Sequence, residues 1–316
     1  MFALEISNLT KDYPVGFWKK RMVRSLDGLN LKVMQGETFG FLGPNGAGKT
    51  TTLKILMRLI YPTAGNALIL GCPPDDMKMR ARIGYLPEQP YFYDYLTARE
   101  FLVYCGKLFD MPRAAALRRA DELLARVGLS EAADKHLRKF SKGMLQRAGL
   151  AQALINDPDM LFLDEPMSGL DPLGRREVRD LIDSLREQGK TVFFSSHVLS
   201  DVEALCDRVA ILNRGRLIEC GRLSDILGRS SSEMEIVVSN VSEVTLDELR
   251  PLVVSITATA ESARIRVRNE FEVARVLALV HRQQGRLVSV SPVRESLEDL
   301  FVREVSEQAP ALSAVS

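Results

Sequence analysis

Long apolar runs are missing from this chain. No stretch approaches the ~18 uninterrupted apolar residues that a bilayer-spanning helix needs, so a membrane role has to come through a partner. An excess of one charge is missing too. With 42 basic and 41 acidic residues the formal net charge is +1, which gives no bulk attraction towards nucleic acid. Cysteine is scarce: Cys72, Cys105, Cys206 and Cys220 lie far apart and form no CxxC pair. That excludes the usual zinc and dithiol patterns and fits a reducing compartment. The opening MFALEISNLT has no basic region followed by an apolar core, and predicts no signal peptide. No sustained heptad run occurs, so a long coiled coil is excluded. What is present, 46% hydrophobic and 26% charged residues over 316 positions, is the composition of a folded chain with room for one large domain and one small one, or two medium ones.

Strand and helix signals alternate along most of the length. Leu4–Ile6, Leu29–Val33 and Thr38–Leu42 read as strands. The third feeds a Gly-rich loop and an apolar helical pattern, Thr52–Leu59, which Tyr61, Pro62 and Gly65 are expected to close. From Thr97 to Pro158 the pattern is mostly helical, opened by a Thr97–Glu100 capping box and punctuated by Pro112 and Gly128. Alternation then resumes. Met160–Leu163 is wholly apolar, as a strand buried on both faces would be. Val178, Leu181, Ile182 and Leu185 make a helical stripe ended by Gly189, Thr191–Ser195 is a strand, and Ser200 with Glu203 predicts a second capping box. Gly and Ser cluster at 228–232, where a domain boundary is expected. Beyond it the signals run βαββαβ, ending with a helix over Leu297–Val305, which predicts a small ferredoxin-like α+β domain. The last residues, QAPALSAVS, look frayed.

Two segments carry chemistry. GPNGAGKT, Gly43 to Thr50, fits G-x-x-x-x-G-K-[ST] between a strand and a helix, the context this phosphate loop requires. Gly43, Gly46 and Gly48 permit positive φ and close approach, so loop N–H groups can wrap phosphate oxygens at the positive end of the helix dipole. Lys49 supplies a point charge between the β- and γ-phosphates and Thr50 a hydroxyl for Mg²⁺. MLFLDEP, Met160 to Pro166, ends a buried strand with two acids. In an open parallel sheet that end faces the ligand. Asp164 suits Mg²⁺, directly or through water, and Glu165 can polarise the attacking water. Side-chain alternation sends the two to opposite sides, which allows distinct roles.

Four further segments follow at fixed order: IGYLPEQ (Ile83–Gln89), FSKGMLQR (Phe140–Arg147), SGLDP (Ser168–Pro172) and His197 directly after TVFFSS. Together with the phosphate loop and acidic strand end, these motifs resemble the ATP-binding-cassette (ABC) family over about the first 225 residues. The resemblance implies an α/β fold: a P-loop NTPase ABC ATPase core with antiparallel β and helical subdomains. It implies a nucleotide site made of Gly43, Pro44, Asn45, Gly46, Ala47, Gly48, Lys49, Thr50 and Thr51. Tyr13 looks like the residue that stacks on adenine, against the plainer reading of a core-edge tyrosine. Ser141 and Gly143 resemble the signature turn, which in the family caps the γ-phosphate held by the opposite subunit. Ser141 also reads as an ordinary helix cap, and both roles use the same free N–H groups. Asp171 resembles the aspartate at the dimer interface, and His197 the switch histidine on the γ-phosphate. The chain departs from the family pattern at Lys142 and Met144, usually Gly and Gln. The family's Q-loop glutamine aligns with Glu88, and whether Glu88 or Gln89 enters the site stays open.

IGYLPEQP, FSKGM and the ending ESLEDLF (Glu295–Phe301) resemble the ATPase subunits of type-2 ABC transporters, mainly exporters. The implied organisation is an ATPase domain over 1–228, with its helical subdomain at 90–158, and an accessory domain over 229–316. VGFWKKRMVRS after Tyr13 reads as a solvated basic loop or as a contact to a permease or anionic lipid. One phosphate loop and one signature per chain imply a head-to-tail homodimer binding ATP and Mg²⁺. They also imply a separate membrane permease, no nucleic-acid partner, and a place at the cytosolic face of the membrane. The rival is a soluble ABC ATPase of translation or DNA repair; such proteins show two cassettes or a coiled-coil insertion, and neither is here. Lys49→Ala is expected to weaken ATP binding and abolish hydrolysis. A fluorescent-ATP titration with unchanged affinity, beside unchanged turnover, would sink the phosphate-loop assignment.

Overall fold

The computed structural model describes residues 1–16, 18, 21–228, 233–259, 262–292 and 297–298. Phe17, Lys19 and Lys20 of the basic loop lie outside the described residues. So do residues 229–232, the frayed tail, and all of the expected last helix except Leu297 and Glu298. The chain divides into two compact units, Met1–Leu223 and Ser224–Ser316, so the division falls ahead of the Gly/Ser cluster.

The first unit opens with two long strands, β1 (Phe2–Val15) and β2 (Arg21–Met34), then β3 (Thr38–Leu42) and α1 (Lys49–Leu56). It continues with β4 (Ala64–Ile69), the short α2 (Met77–Arg80), β5 (Ile83–Leu86), α3 (Ala98–Leu108), α4 (Arg113–Arg126) and α5 (Lys142–Ala153). It closes with β6 (Met160–Asp164), α6 (Pro172–Glu187), β7 (Thr191–Ser196), α7 (Leu199–Leu205), β8 (Arg208–Asn213) and β9 (Arg216–Arg222). β1, β2 and β4 form an antiparallel sheet in the order β2-β1-β4. The main sheet runs β5-β6-β7-β3-β8-β9, parallel except for β9 at one edge.

The core joins the two sheets. Leu4, Leu9, Leu29 and Val33 of the antiparallel sheet share one cluster with Phe39, Phe41, Phe162 and Phe193 of the main sheet. Phe193 sits at its centre, stacked on Phe39 at 5.7 Å and tilted against Phe41 and Phe162 at 5.2 and 5.8 Å. β3, β6 and β7 are buried at every position, so their apolar centres show no alternation and the polar residues sit only at the strand ends. α1 packs against both β2 and β6, which wedges the helix after the Gly-rich loop between the sheets. α3, α4 and α5 pack on one another, and the Thr97–Glu100 capping box opens α3.

Three local expectations are corrected. α1 ends at Leu56, not at Leu59, and Gly65 belongs to β4. A Cβ on Gly65 would strike the Asn8 backbone, so that glycine serves strand pairing rather than helix termination. Ser200 caps nothing. α7 begins at Leu199 without a side-chain cap, and Ser196 closes the entering turn by accepting from Val198 N at 2.9 Å.

The second unit starts within α8 (Leu223–Gly228). It then runs β10 (Met234–Ser239), α9 (Glu243–Leu249), β11 (Ser255–Ala258), β12 (Ser262–Val267), α10 (Glu270–Arg282) and β13 (Arg286–Pro292). Its sheet is wholly antiparallel in the order β11-β12-β10-β13. The βαββαβ chain order with the outer strands flanking β10 and β12 is the split-βαβ, ferredoxin-like arrangement. Ile236, Val238, Ile265 and Val267 from the sheet meet Val273, Val276 and Val280 of α10 in a separate core. With its own core, each unit meets the physical condition for folding alone. A chain ending at Gly228 is therefore expected to stay monodisperse and bind ATP. Aggregation of that shortened chain on size-exclusion chromatography would show that the first unit depends on the second.

Candidate active site

Strand register builds the site. β6, β7 and β3 are adjacent, and pairing sets Asp164 beside Ser195 and Leu42 beside Ser196. The loop after β3, the acids ending β6 and the histidine after β7 thus emerge at one carboxyl edge. A cleft of about 370 Å³ lies there, walled by the whole loop from Pro44 to Thr51 with Glu88, Glu165 and His197.

The loop's shape follows from its glycines. Gly46 and Gly48 have φ of +81 and +111, which L side chains resist. Gly43 works differently from the expectation of positive φ. A Cβ there would lie 2.5 Å from Leu212 O, so the position is kept bare by the neighbouring strand. Lys49 is buried, and its Nζ donates to Gly43 O at 2.6 Å while pairing with Glu165 Oε1 at 3.7 Å. Thr51 is held by Ser25 of β2 through a 2.9 Å hydroxyl contact.

The acidic pair is pinned by one hydroxyl. Ser195 Oγ donates to Asp164 Oδ1 at 2.6 Å and accepts from Glu165 N at 3.1 Å. Burial pushes the Asp164 carboxyl above its usual range, while the Ser195 and Thr50 hydroxyls pull it back. Asp164 Oδ2 is buried without a hydrogen-bond partner. Glu165 takes the left-handed region at φ 50, a strained setting for a residue that carries a Cβ, at a cost of about 1 kcal/mol or more. Both its backbone groups are fixed. Its N–H is taken by Ser195, and its carbonyl accepts from the buried Gln146 Nε2 at 3.3 Å. Gln146 also donates to Pro166 O at 3.1 Å, so α5 holds the turn after the acids. Glu165 Oε2 meets His197 Nδ1 at 2.8 Å. One carboxylate therefore faces both Lys49 and His197.

Not every expected residue joins this cleft. Glu88 lines it and Gln89 does not. Tyr13 is absent from the lining; it pairs with Val23 across β1 and β2, with Lys11 Nζ 5.1 Å from its ring centre. Ser141, Gly143 and Asp171 form a second surface, of about 410 Å³, that shares no residue with the cleft. There Ser141 caps α5 by accepting from Met144 N at 3.3 Å, and Asp171 caps α6 by accepting from Gly174 N at 2.8 Å. Lys142 lies across Gly169, where a Cβ would come within 2.6 Å of its Cε. Ser25, Gln146 and Ser195 are the contributors that motif reading missed.

A family model described as "ABC transporter" matches residues 26–168. An uncharacterized ABC transporter ATP-binding protein of Synechocystis is 47% identical, over 97% of this chain and 85% of the relative. The chain belongs to the ABC transporter ATP-binding proteins. ATP binding and hydrolysis by the cassette follow from that membership. The Nod factor export ATP-binding protein I of Cupriavidus metallidurans is 36% identical, over 88% of this chain and 91% of its own length. A solved relative, the cassette MJ0796 as a post-hydrolysis dimer with ADP and Pi, superposes with TM-score 0.65 at 28% identity, covering 70% of this chain and 98% of that one. Among the described residues no helix is long and apolar enough to cross a membrane.

Ser195→Ala removes the donor that favours ionised Asp164, so the Asp164 pKa should rise further and the acid limb of the ATPase pH profile should move to higher pH. An unmoved acid limb with normal turnover would show that Ser195 is dispensable.

Proposed function

We propose that two copies of this chain close head to tail around two ATP molecules, and that closing and opening drive a separate membrane permease in export. The observation carrying this reading is the disjunction of the two surfaces. The phosphate-loop cleft and the Ser141–Gly143 turn each offer free helix N-terminal N–H groups, yet share no residue within one chain. A second copy brings its turn to the first copy's cleft, and a two-fold axis makes both sites alike.

The donor set suits Mg²⁺. Among the described residues no cluster of three or more His, Cys, Asp or Glu forms a ready cage. Mg²⁺ is commonly held by one or two carboxylates plus substrate phosphates, and Asp164 offers a buried Oδ2 with no hydrogen-bond partner beside the Thr50 hydroxyl. When bound there, the ion supplies positive charge to the β- and γ-phosphate oxygens. Lys49 neutralises the same oxygens, and the loop N–H groups orient them. Glu165 takes the proton of the attacking water. His197 holds Glu165 in place through the 2.8 Å contact and reaches the γ-phosphate from its half-exposed ring. Ser141 and Gly143 of the partner copy, with Asp171 at the contact, complete the enclosure.

The permease would meet the face beyond Glu88. Tyr91, Tyr93, Tyr95 and Tyr104 are all exposed there, Tyr91 almost wholly, with Tyr93 and Tyr104 ring centres 5.6 Å apart. Clustered exposed aromatics mark interaction surfaces. That docking puts the chain at the cytosolic face of the membrane, and the Nod factor relative favours export.

Glu165→Gln keeps size and removes the charge that polarises water, a loss of about 10²–10⁴ in rate. Binding should survive, since Lys49, Thr50 and Asp164 remain. Light scattering with Mg-ATP should then show dimer mass for the variant and little or transient dimer for the unmodified chain. A variant that hydrolyses at the original rate, or stays monomeric at saturating ATP, contradicts the sandwich.

A further inference from the structure

Asp201 is a buried carboxylate that the chemistry above does not use. It stands in the first turn of α7, four positions after His197, with a side chain only 4% exposed. Its Oδ2 has no hydrogen-bond partner. A carboxylate in such a place is costly unless charge compensates it. The compensation comes from α6. Arg179 Nη1 lies 3.7 Å from Oδ1 and Arg175 Nη1 3.9 Å from Oδ2. Four residues apart, the two arginines share one face of that helix. Both separations are ion-pair distances, longer than hydrogen bonds. Asp201 and Arg175 also line a cavity of about 170 Å³ together with Glu165, Ser168 and His197.

We propose that Asp201 is a positioning residue for His197: clamped by Arg175 and Arg179, it fixes α7 on α6 and so fixes the His197 ring against Glu165. α6 starts at its cap Asp171, so the clamp ties the histidine to the helix that carries the interface aspartate. The simpler role for an acid in a first helical turn is to favour the helix dipole. An exposed aspartate would do that equally well. Burial against two cations from another helix is needed only if the relative placement of the helices matters. The inference rests on His197 and Glu165 being the working pair.

The test is a double-substitution cycle on the full chain, read in kcat and KM for ATP. Asp201→Asn keeps the shape and removes the charge. Its kcat is expected to fall about tenfold or more with KM within about twofold, because the phosphate loop is untouched. Combined with His197→Ala, it should add nothing to the loss that His197→Ala causes alone. Additive losses, or wild-type kcat in Asp201→Asn beside a slow His197→Ala, overturn the clamp and leave the catalytic reading standing. Full turnover in His197→Ala overturns both. Should Asp201→Asn fail to fold, Arg175→Gln goes through the same cycle with the same criteria, since its side chain is 36% exposed and contributes less to the core.

Discussion

One hydroxyl holds the reactive edge of this molecule together. Ser195 Oγ sits where β7 meets β6, donating to Asp164 and accepting from Glu165 N. Without that donor, a carboxylate as buried as Asp164 would be driven towards its neutral form, which cannot serve a cation well. Without that acceptor, the Glu165 N–H would lose a partner at the residue already held in the left-handed region. The strain is tolerated because the surroundings leave the backbone no alternative: β7 fixes one side and Gln146 of α5 the other. Glu165 is thereby turned back towards Lys49 and His197 rather than onward along the strand.

Residues contiguous in the chain were legible from the chain. The loop from Gly43 to Thr51, the Asp164–Glu165 pair and His197 declare themselves because each is a short run at a strand end, and the parallel sheet gathers strand ends automatically. Ser195, Ser25 and Gln146 act through partners 19 to 31 residues away, and cross-strand register or helix rotation decides those partners. No local pattern distinguishes Ser195 from Ser196, although a shift of one residue exchanges the buried donor for a turn-closing one. The same limit explains the errors. Ser200 with Glu203 has capping-box spacing, but the cap position of α7 is Val198, two residues earlier, at a turn Ser196 has already closed. Gly65 looks like a helix stop until its backbone contact with Asn8 across β1 and β4 is known.

The second unit was legible for a different reason. Its described strands are short and separated by turns or helices, and its sheet is antiparallel with one face on α10, so alternation survives in the burial of β12. Pairing order is not local information, yet few orders let two βαβ-like halves cover one face of four strands, and the observed β11-β12-β10-β13 is the ferredoxin-like one. The main sheet gave its strands through the opposite signal, apolar runs without alternation, because both its faces are covered.

The two anion-seeking surfaces of the first unit bear on why a cassette of this kind would bind itself only when charged with nucleotide. Each surface presents free N–H groups at a helix start, at α1 for the phosphate loop and at α5 for the Ser141 turn. Brought face to face with nothing between them, two positive helix ends repel, and the burial of unpaired N–H groups adds a further penalty. A triphosphate between them reverses both terms, supplying negative charge and acceptor oxygens to each side. Under the proposed mechanism the association constant is therefore set by the ligand, and stability of the dimer rises with ATP concentration by mass action. Cleavage to diphosphate and phosphate removes the oxygen bridge on which both helix ends rely, so the same electrostatics that close the pair reopen it without a separate release device.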